Sequence, residues 1–137
     1  MLKNHLSAKE LNQVVDLDKE AHKEISWWKR TGKKDFQLQN KAMFLYMIYD
    51  KDKVIGFIRL SEDKRRTKQK TICIEDIFIK KEFRKRGYGK KALKNIISAL
   101  KKDKVKVIKV IAPKQFQKKL YEAVGFKAQY VCLDMKL

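Results

Sequence analysis

The thirty residues from Thr71 to Leu100 constrain the fold of this chain more than any other segment. They begin with an apolar run, TICIEDIFI, in which β-branched and aromatic residues dominate, as is typical of a covered strand. The run is followed by a basic loop, KKEFRKRGYGK, and then by apolar residues at helical spacing with lysines between them. The segment therefore predicts a buried strand, a tight loop and an amphipathic helix.

The loop has the composition of an anion-binding turn. Gly87 and Gly89 allow the backbone to turn sharply and to approach a ligand closely. The following helix begins with free amides, and its dipole is positive at that end. Together with the neighbouring cations these features favour an anionic ligand, and phosphate is the one expected. We expect the site to be formed by Arg84, Lys85, Arg86, Gly87, Tyr88, Gly89 and Lys90.

The other periodic segments complete an α+β pattern. Ser7 and Glu10 form a capping box at the start of the first helix. The further predicted elements are a helix over Lys19–Arg30 ended by Gly32, strands over Ala42–Tyr49 and Val54–Leu60, the segment above, a strand over Val105–Ala112, a helix over Lys114–Val124, and a last strand over Phe126–Met135. Gly56, inside a strand, indicates a bulge or a close approach by another group. This order predicts one α+β layer sandwich spanning residues 1–137.

Positive charge is the unusual compositional feature. The chain carries 35 Lys and Arg against 16 Asp and Glu, a net charge of +19. Such an excess indicates an acidic partner such as RNA, or else solvated surfaces together with a phosphate-rich cofactor, and both alternatives stay open. A charged loop contains five cations that either bind a polyanion or simply lie in a solvated turn. They are Lys64, Arg65, Arg66, Lys68 and Lys70.

Several classes of protein are disfavoured. No run of about 18 apolar residues is present, so a membrane helix is not expected. The N-terminus lacks the apolar stretch of a signal peptide, and we expect a cytoplasmic protein. Cys73 and Cys132 fall in predicted strands and are expected to be reduced core thiols. His5 and His22 are expected to lie on the surface, and no metal site is expected. Of the adjacent Trp27 and Trp28, either one lies in the core and the other lines a cleft, or both serve as partly buried packing residues.

Two motifs resemble the GNAT superfamily of acyl-CoA-dependent N-acetyltransferases. Arg84-Lys85-Arg86-Gly87-Tyr88-Gly89 is similar to the family's pyrophosphate loop, R/Q-x-x-G-x-G/A, and it lies between a strand and a helix as that motif requires. Leu120-Tyr121-Glu122-Ala123-Val124-Gly125-Phe126 resembles the family's L-Y-E-x-x-G-F. The resemblance implies a mixed, mainly antiparallel sheet flanked by helices on both faces.

The resemblance also implies how acetyl-CoA would bind. The amides of Arg84 to Gly89 would hold the coenzyme pyrophosphate, and the main-chain groups of Ile77, Phe78 and Ile79 would pair with the pantetheine arm. Tyr121 matches the tyrosine that protonates the departing thiolate. The family often has Asn seven residues before that tyrosine, where this chain has Lys114. A cofactor or substrate contact at this position is therefore not implied.

A catalytic base is the least determined part of the site. An amine nucleophile must lose a proton when it attacks, and Glu75 and Asp76 are the only acids next to the predicted slot. Their side chains are expected to point to opposite faces of the strand. Glu75 corresponds to the base in polyamine-type members of the family. Asp76, a water relay, or a structural role for both acids are the alternatives.

The leading hypothesis is an N-acetyltransferase that acts on a primary amine. A +19 surface repels small cationic amines, which favours an acceptor on an acidic body, such as a protein, a peptide or an aminoacyl-tRNA. The alternative is a non-catalytic protein that binds coenzyme A and serves as a regulator or interaction module. The sequence leaves the acyl chain length open, as well as the choice between a monomer and a homodimer.

Overall fold

The structure, a computed structural model, describes residues 2–3, 6–25, 28–29, 43–64, 69–111, 115–129, 133 and 135–137. Its strands are β1 (Leu2–Lys3), β2 (Met43–Asp50), β3 (Lys53–Glu62), β4 (Thr71–Ile79) and β5 (Val107–Val110). Its helices are α1 (Ala8–Glu24), α2 (Tyr88–Lys102) and α3 (Gln115–Ala123), with a short 3-10 turn over Lys81–Phe83. In the described part of the chain, no helix is both long and apolar enough to cross a membrane.

The five strands form one sheet in the order β1-β2-β3-β4-β5. The first three pairs are antiparallel, whereas β4 and β5 are parallel. A parallel neighbour requires a crossover connection, and α2 supplies it between β4 and β5. The mixed, mainly antiparallel sheet expected from the sequence is confirmed.

Each face of the sheet is covered by helices. On one face, α1 packs its buried residues, among them Val14 and Leu17, against Met47, Phe57 and Phe78. On the other face, α2 and α3 pack against a second cluster of buried side chains, which contains Ile55, Ile58, Leu60, Ile72, Ile74, Leu93, Ile96 and Tyr121. The α/β/α layering is confirmed, and both cores arise from the 3.6-residue and two-residue periods of the sequence.

The N-terminal helix differs from its prediction. Ser7 and Glu10 do form the capping box, with both reciprocal hydrogen bonds present. However, α1 runs without interruption to Glu24 rather than restarting at Lys19, because Asp18 lies on its buried face and accepts a hydrogen bond from Trp28 Nε1 at 3.0 Å. Trp28 is buried, as in the alternative that places one of the two tryptophans in the core. His22 Nδ1 lies 2.7 Å from the Trp28 carbonyl, so its ring contributes to this turn although the residue is exposed.

At the C-terminus, the predicted strand over Phe126–Met135 is not observed in the described residues. Residues 126–129, 133 and 135 have no strand conformation, and the exposed apolar side chains there include Leu133 and Met135. An alternating pattern forms a strand only when a sheet edge pairs with it, and no such pairing is present among these residues. Cys73 is half-buried and forms no disulfide, so the expectation that it is reduced is confirmed. The predicted features at His5, Trp27, Gly32, Arg65, Arg66, Lys68, Lys114 and Cys132 lie outside the described residues.

Two irregularities interrupt the antiparallel ladders. Between β2 and β3, Ile48 pairs with Gly56 and Tyr49 with Val54, so Ile55 is an extra residue. Between β3 and β4, Arg59 pairs with Asp76 and Leu60 with Ile74, so Glu75 is an extra residue. Each is a β-bulge, which shifts the side-chain alternation by one residue and bends the strand. The prediction of a bulge or close approach at Gly56 is confirmed.

Candidate active site

The bulge at Glu75 divides β4 into two halves with different neighbours. In the first half, residues 71–74 pair with β5 through the register Thr71↔Val107 to Ile74↔Val110. In the second half, residues 76–79 pair with β3 but have no partner on the β5 side within the described chain. One edge of β4 is therefore open from the bulge to Ile79.

The bulge also places both acids on the same face, which corrects the expectation of opposite faces. Ile72 and Ile74 before the bulge, and Ile77 and Ile79 after it, all contact the α2 side of the sheet. Because the alternation slips at the bulge, Glu75 and Asp76 both belong to the other face, which carries Phe78. Their partners on β3, Ser61 and Arg59, follow Phe57 at two-residue spacing on that same face.

The two acids differ in what holds them. Asp76 accepts from Arg59 Nε at 2.6 Å and from Nη2 of the same guanidinium, and both side chains are largely buried. Glu75 is exposed and, among the described residues, accepts a hydrogen bond only from the Ser61 hydroxyl. Charge-assisted hydrogen bonds from a guanidinium are stronger than one from a hydroxyl, so Asp76 is held more firmly than Glu75.

Main-chain groups along the open edge alternate in direction. The Lys80 amide donates to the Ile55 carbonyl at 2.8 Å, so the main-chain groups of Lys80 face β3. By the two-residue period those of Phe78 face β3 as well, and its carbonyl lies 2.4 Å from where a Cβ on Gly56 would be. Only Ile77 and Ile79 turn their main-chain groups to the open side. The expected pairing of Phe78 with a pantetheine arm is therefore not supported.

Beyond β4, the loop presents a set of free amides. Gly87 is the residue before α2 and has φ 84° and ψ 0°, a left-handed conformation that favours glycine. The first recorded helical bond is from the Lys91 amide to the Gly87 carbonyl at 3.0 Å. Among the described residues, the amides from Lys85 to Lys90 donate to no backbone acceptor. The first turn of α2 contains no acid, so nothing in it opposes an anion at these amides.

Arg84 has a different environment from the other loop cations. Its amide donates to the Lys81 carbonyl at 3.3 Å, and its Nε donates to the Ile79 carbonyl at 2.8 Å. Its guanidinium forms a two-pronged ion pair with Glu24 at the end of α1, and this hydrogen bond lowers the pKa of that carboxyl. The guanidinium also lies 5.3 Å from the centre of the Phe78 ring. Arg84 thus connects the loop to α1 and β4 through its side chain. Its main-chain amide already donates a hydrogen bond and does not belong to the set of free amides from Lys85 to Lys90.

Two other loop side chains are also engaged. The Tyr88 hydroxyl donates to Asp50 Oδ1 at 2.8 Å, and this hydrogen bond raises the pKa of the phenol. Arg86 lies over the Phe83 ring, 5.5 Å from its centre. Lys85 and Lys90 are exposed and form no ion pair with a described residue. The loop therefore offers both fixed amides and free ammonium groups to an anion.

Tyr121 lies on α3 beside the open half of β4. A Cβ on Gly89 would lie 3.3 Å from Ile79 Cδ1 and 3.7 Å from Leu120 Cδ2, so the loop, β4 and α3 meet at this point. The Tyr121 side chain is 5% exposed and packs edge-on against Phe126. Burial, and then the charge of Asp76, raise the pKa of Tyr121 to about 12. Its hydroxyl forms no hydrogen bond with a described residue and keeps its proton at neutral pH.

Four supporting residues were not identified from the sequence. Arg59 carried a usable signal, because a charge in the middle of an apolar strand requires a buried partner. Ser61, Glu24 and Asp50 carried none, since each acts on a residue far away in the sequence. Within the described chain, no group of three or more His, Cys, Asp or Glu side chains is suitably placed to hold a metal ion.

Comparison with protein families gives one match that covers most of the chain. The acetyltransferase (GNAT) family model matches residues 9–126, which include β4, the loop and Tyr121. No curated protein sequence matches the chain significantly.

Solved structures with the same fold extend over the whole chain. An aminoglycoside acetyltransferase, meta-AAC0020, from an uncultured soil metagenomic sample in complex with sisomicin, has a TM-score of 0.77 at 14% identity, over 100% of this chain and 95% of that one. A tetramutant of the BH1408 protein from Bacillus halodurans has a TM-score of 0.76 at 17% identity, over 100% and 99%. AAC(6')-Iy in complex with the bisubstrate analogue CoA-S-monomethyl-acetylneamine has a TM-score of 0.73 at 15% identity, over 100% and 97%. At these identities the similarity establishes the fold alone.

Proposed function

The chain belongs to the GNAT family of acetyltransferases, and we propose that it transfers an acetyl group from acetyl-CoA to a primary amine. The observation that carries this proposal is the continuity of two features: the open edge of β4 and the free amides from Lys85 to Lys90. An elongated ligand with a polar arm and a pyrophosphate fits both features at once. The arm would pair with Ile77 and Ile79, and the pyrophosphate would accept from the loop amides.

Acetyl-CoA supplies an activated acyl group as a thioester, and the protein has to position it and manage two protons. The amine must lose a proton as its nitrogen bonds to the acyl carbon, and the sulfur must gain one as the carbon–sulfur bond breaks. A main-chain amide of the open edge is suitably placed to donate to the acyl oxygen. The remaining chemistry falls to one acceptor and one donor of protons.

Glu75 is the residue that we propose as the proton acceptor. It is exposed at the bulge, and its only recorded partner is the Ser61 hydroxyl. Asp76, in contrast, is occupied by Arg59 in a largely buried ion pair. The Asp76 carboxylate is already engaged by two nitrogens of the Arg59 guanidinium, which disfavours Asp76 as the base.

Tyr121 is the residue that we propose as the proton donor to the sulfur. A phenol with a pKa of about 12 stays protonated throughout the neutral range, so it is available to donate. The negative charge of Asp76 also disfavours the phenolate of Tyr121, so the phenol is protonated before the reaction begins. The buried ring holds the hydroxyl in place with little conformational freedom.

The acceptor is proposed to be an amine on a neutral or acidic body. A protein with a net charge of +19 repels free polyamines and aminoglycosides, and two of the acids beside the site are already paired with arginines. Glu24 is paired with Arg84, and Asp76 is paired with Arg59. Amines on proteins, peptides or aminoacyl-tRNA are therefore favoured over small polycations.

The experiment is a thiol-release assay with acetyl-CoA and a panel of amines. The panel contains lysine-bearing acidic peptides, N-terminal peptide amines, aminoacyl-tRNA, polyamines and aminoglycosides. Amine-dependent release of coenzyme A, abolished in Glu75→Gln and Tyr121→Phe, would support the proposal. Direct binding of coenzyme A is measured in parallel by calorimetry.

The same experiment separates the enzyme from a coenzyme-binding regulator. Binding of coenzyme A with no release on the whole panel, and with equal affinity in wild type and Tyr121→Phe, would favour the regulator. Absence of coenzyme A binding would overturn both alternatives. Glu20→Gln is a matched control for Glu75→Gln, because Glu20 lies on α1, far from β4 in sequence, and forms no recorded ion pair among the described residues.

A further inference from the structure

A second positive surface lies at the opposite end of α2 from the cofactor loop. Its five exposed members, here called the lysine cluster, are Lys70, Lys101, Lys102, Lys104 and Lys106. The backbone brings them together, because the Lys106 amide donates to the Lys70 carbonyl at 2.9 Å and the Lys104 amide to the Lys101 carbonyl at 3.1 Å. Residues 36 positions apart in the sequence, Lys70 and Lys106, thus belong to one surface at the start of β4 and β5.

The lysine cluster is not neutralised by the acids around it. None of its members has an ion pair with a described residue. Asp63 is buried and lies 4.0 Å from the ammonium of Lys109, which is outside the cluster. Asp103 and Glu62 are the other acids of this end in the described chain. Counting Lys64 and Lys109 as well, seven lysines face three carboxylates, so a net positive charge remains.

The cofactor cannot account for this charge. Gly87 and Lys102 are separated by the whole of α2, about 22 Å at a rise of 1.5 Å per residue. At physiological salt the Debye length is about 8 Å, so the cluster and the loop act as separate electrostatic sites. A phosphate bound at the loop therefore leaves the lysine cluster uncompensated.

We propose that the lysine cluster binds the phosphate backbone of a single-stranded nucleic acid, without reading its sequence. Exposed ammonium groups are point charges with three donors each, which suit phosphate oxygens. A protein interface would use exposed aromatic or large apolar side chains as its anchor; those of the described chain are Tyr49, Ile111, Leu133, Met135 and Leu137, and none lies in the segments that carry the cluster. The cluster spans the last turn of α2 and the segments just before β4 and β5 rather than one exposed helix face, which suits a flexible strand better than a duplex groove.

The test measures binding of a labelled 12-nucleotide oligouridine RNA by fluorescence anisotropy between 50 and 300 mM NaCl. The variant Lys101→Gln/Lys102→Gln/Lys106→Gln is expected to weaken binding about tenfold or more and to reduce the slope of log K against log salt by about 2, since each single-strand phosphate contact contributes about 0.7. Lys9→Gln/Lys19→Gln/Lys23→Gln on α1 changes the net charge equally and is expected to bind nearly as wild type does. DNA of matched length is expected to bind as RNA does.

Any one of four results would overturn the proposal. Equal loss in both triple variants would mean that only the net charge matters. Displacement of the RNA by saturating coenzyme A from the wild-type protein would place the RNA at the cofactor loop. Tighter binding to anionic phospholipid vesicles than to RNA would assign the lysine cluster to a membrane surface. No binding to RNA at 50 mM NaCl would exclude a nucleic-acid ligand. Thiol release from acetyl-CoA in the cluster variant is expected to match wild type, so this test and that of the enzyme fail independently.

Discussion

Tyr121 is the residue on which the proposed chemistry depends most directly, through its hydroxyl group. Tyr121→Phe removes the only donor proposed for the leaving sulfur and leaves the packing against Phe126 intact. We expect kcat to fall about 10²-fold or more, with KM for acetyl-CoA within about twofold of wild type. Steady-state kinetics with the best acceptor measure both constants. Tyr49→Phe, on a partly exposed tyrosine of β2, is the matched control, and a kcat loss of equal size there would refute the role of Tyr121.

The raised pKa of Tyr121 also predicts a pH dependence of stability. The folded state holds the phenol proton up to a pKa of about 12, whereas the unfolded chain releases it near pH 10. This contribution is therefore fully present below pH 10 and is lost as the pH rises through 12. By this linkage, wild type should lose about 2 to 3 kcal/mol more than Tyr121→Phe over that interval. Urea unfolding at pH 9, 10, 11 and 12 measures it; parallel curves for the two proteins would contradict the shift.

At the scale of the elements, the bulge in β4 separates a structural acid from a chemical one. Asp76→Asn removes the charge that compensates the buried Arg59 guanidinium, and we expect a loss of about 3 kcal/mol in the free energy of unfolding. Glu75→Gln, at an exposed position, should change stability by less than about 0.5 kcal/mol but lower kcat/KM strongly. Denaturant unfolding and kinetics on both variants form the test. The reverse pattern would assign the base to Asp76.

The contact between β3 and β4 is tested at Gly56. A Cβ at this position would lie 2.4 Å from the Phe78 carbonyl oxygen, a backbone atom that cannot move aside alone. We expect Gly56→Ala to lower the free energy of unfolding by about 2 kcal/mol or more. Gly89→Ala is the comparison, because its nearest contact is the flexible Ile79 Cδ1 at 3.3 Å, and its effect on stability should be under about 1 kcal/mol. Equal effects of the two substitutions on the free energy of unfolding would show that β3 and β4 are less tightly paired at Gly56 than the 2.4 Å distance indicates.

At the scale of the whole molecule, the net charge of +19 opposes folding through self-repulsion. Salt screens this repulsion, so raising NaCl from 50 to 500 mM should increase Tm by about 3 °C or more, equivalent to ~1 kcal/mol. Differential scanning fluorimetry measures the shift, and the two triple lysine variants should respond less than wild type does. A fall in Tm with salt would instead mean that ion pairs such as Arg84–Glu24 dominate.

The predicted elements succeeded or failed for physical reasons that can be named. The segment Thr71 to Leu100 was assigned correctly because its signals are local: a strand period, a glycine turn and a helical period follow one another. The break near Lys19 was wrong because a buried Asp18, held by Trp28, lets α1 continue. The C-terminal strand depends on pairing with a distant edge, which no local pattern reveals.

By itself, the sequence determined the layered α+β fold, the glycine-bearing anion loop and the candidate tyrosine, since each is encoded within a few consecutive residues. Only the tertiary structure decided that Glu75 and Asp76 share one face, because a bulge depends on the register between two strands. Likewise, only the fold joined Lys70 to Lys101–Lys106 and tied Arg84 to Glu24. The loop from Arg84 to Lys90 thus remains the centre of the proposed cofactor site, in which Arg84 ties the loop to α1 and the amides from Lys85 to Lys90 are the proposed phosphate donors.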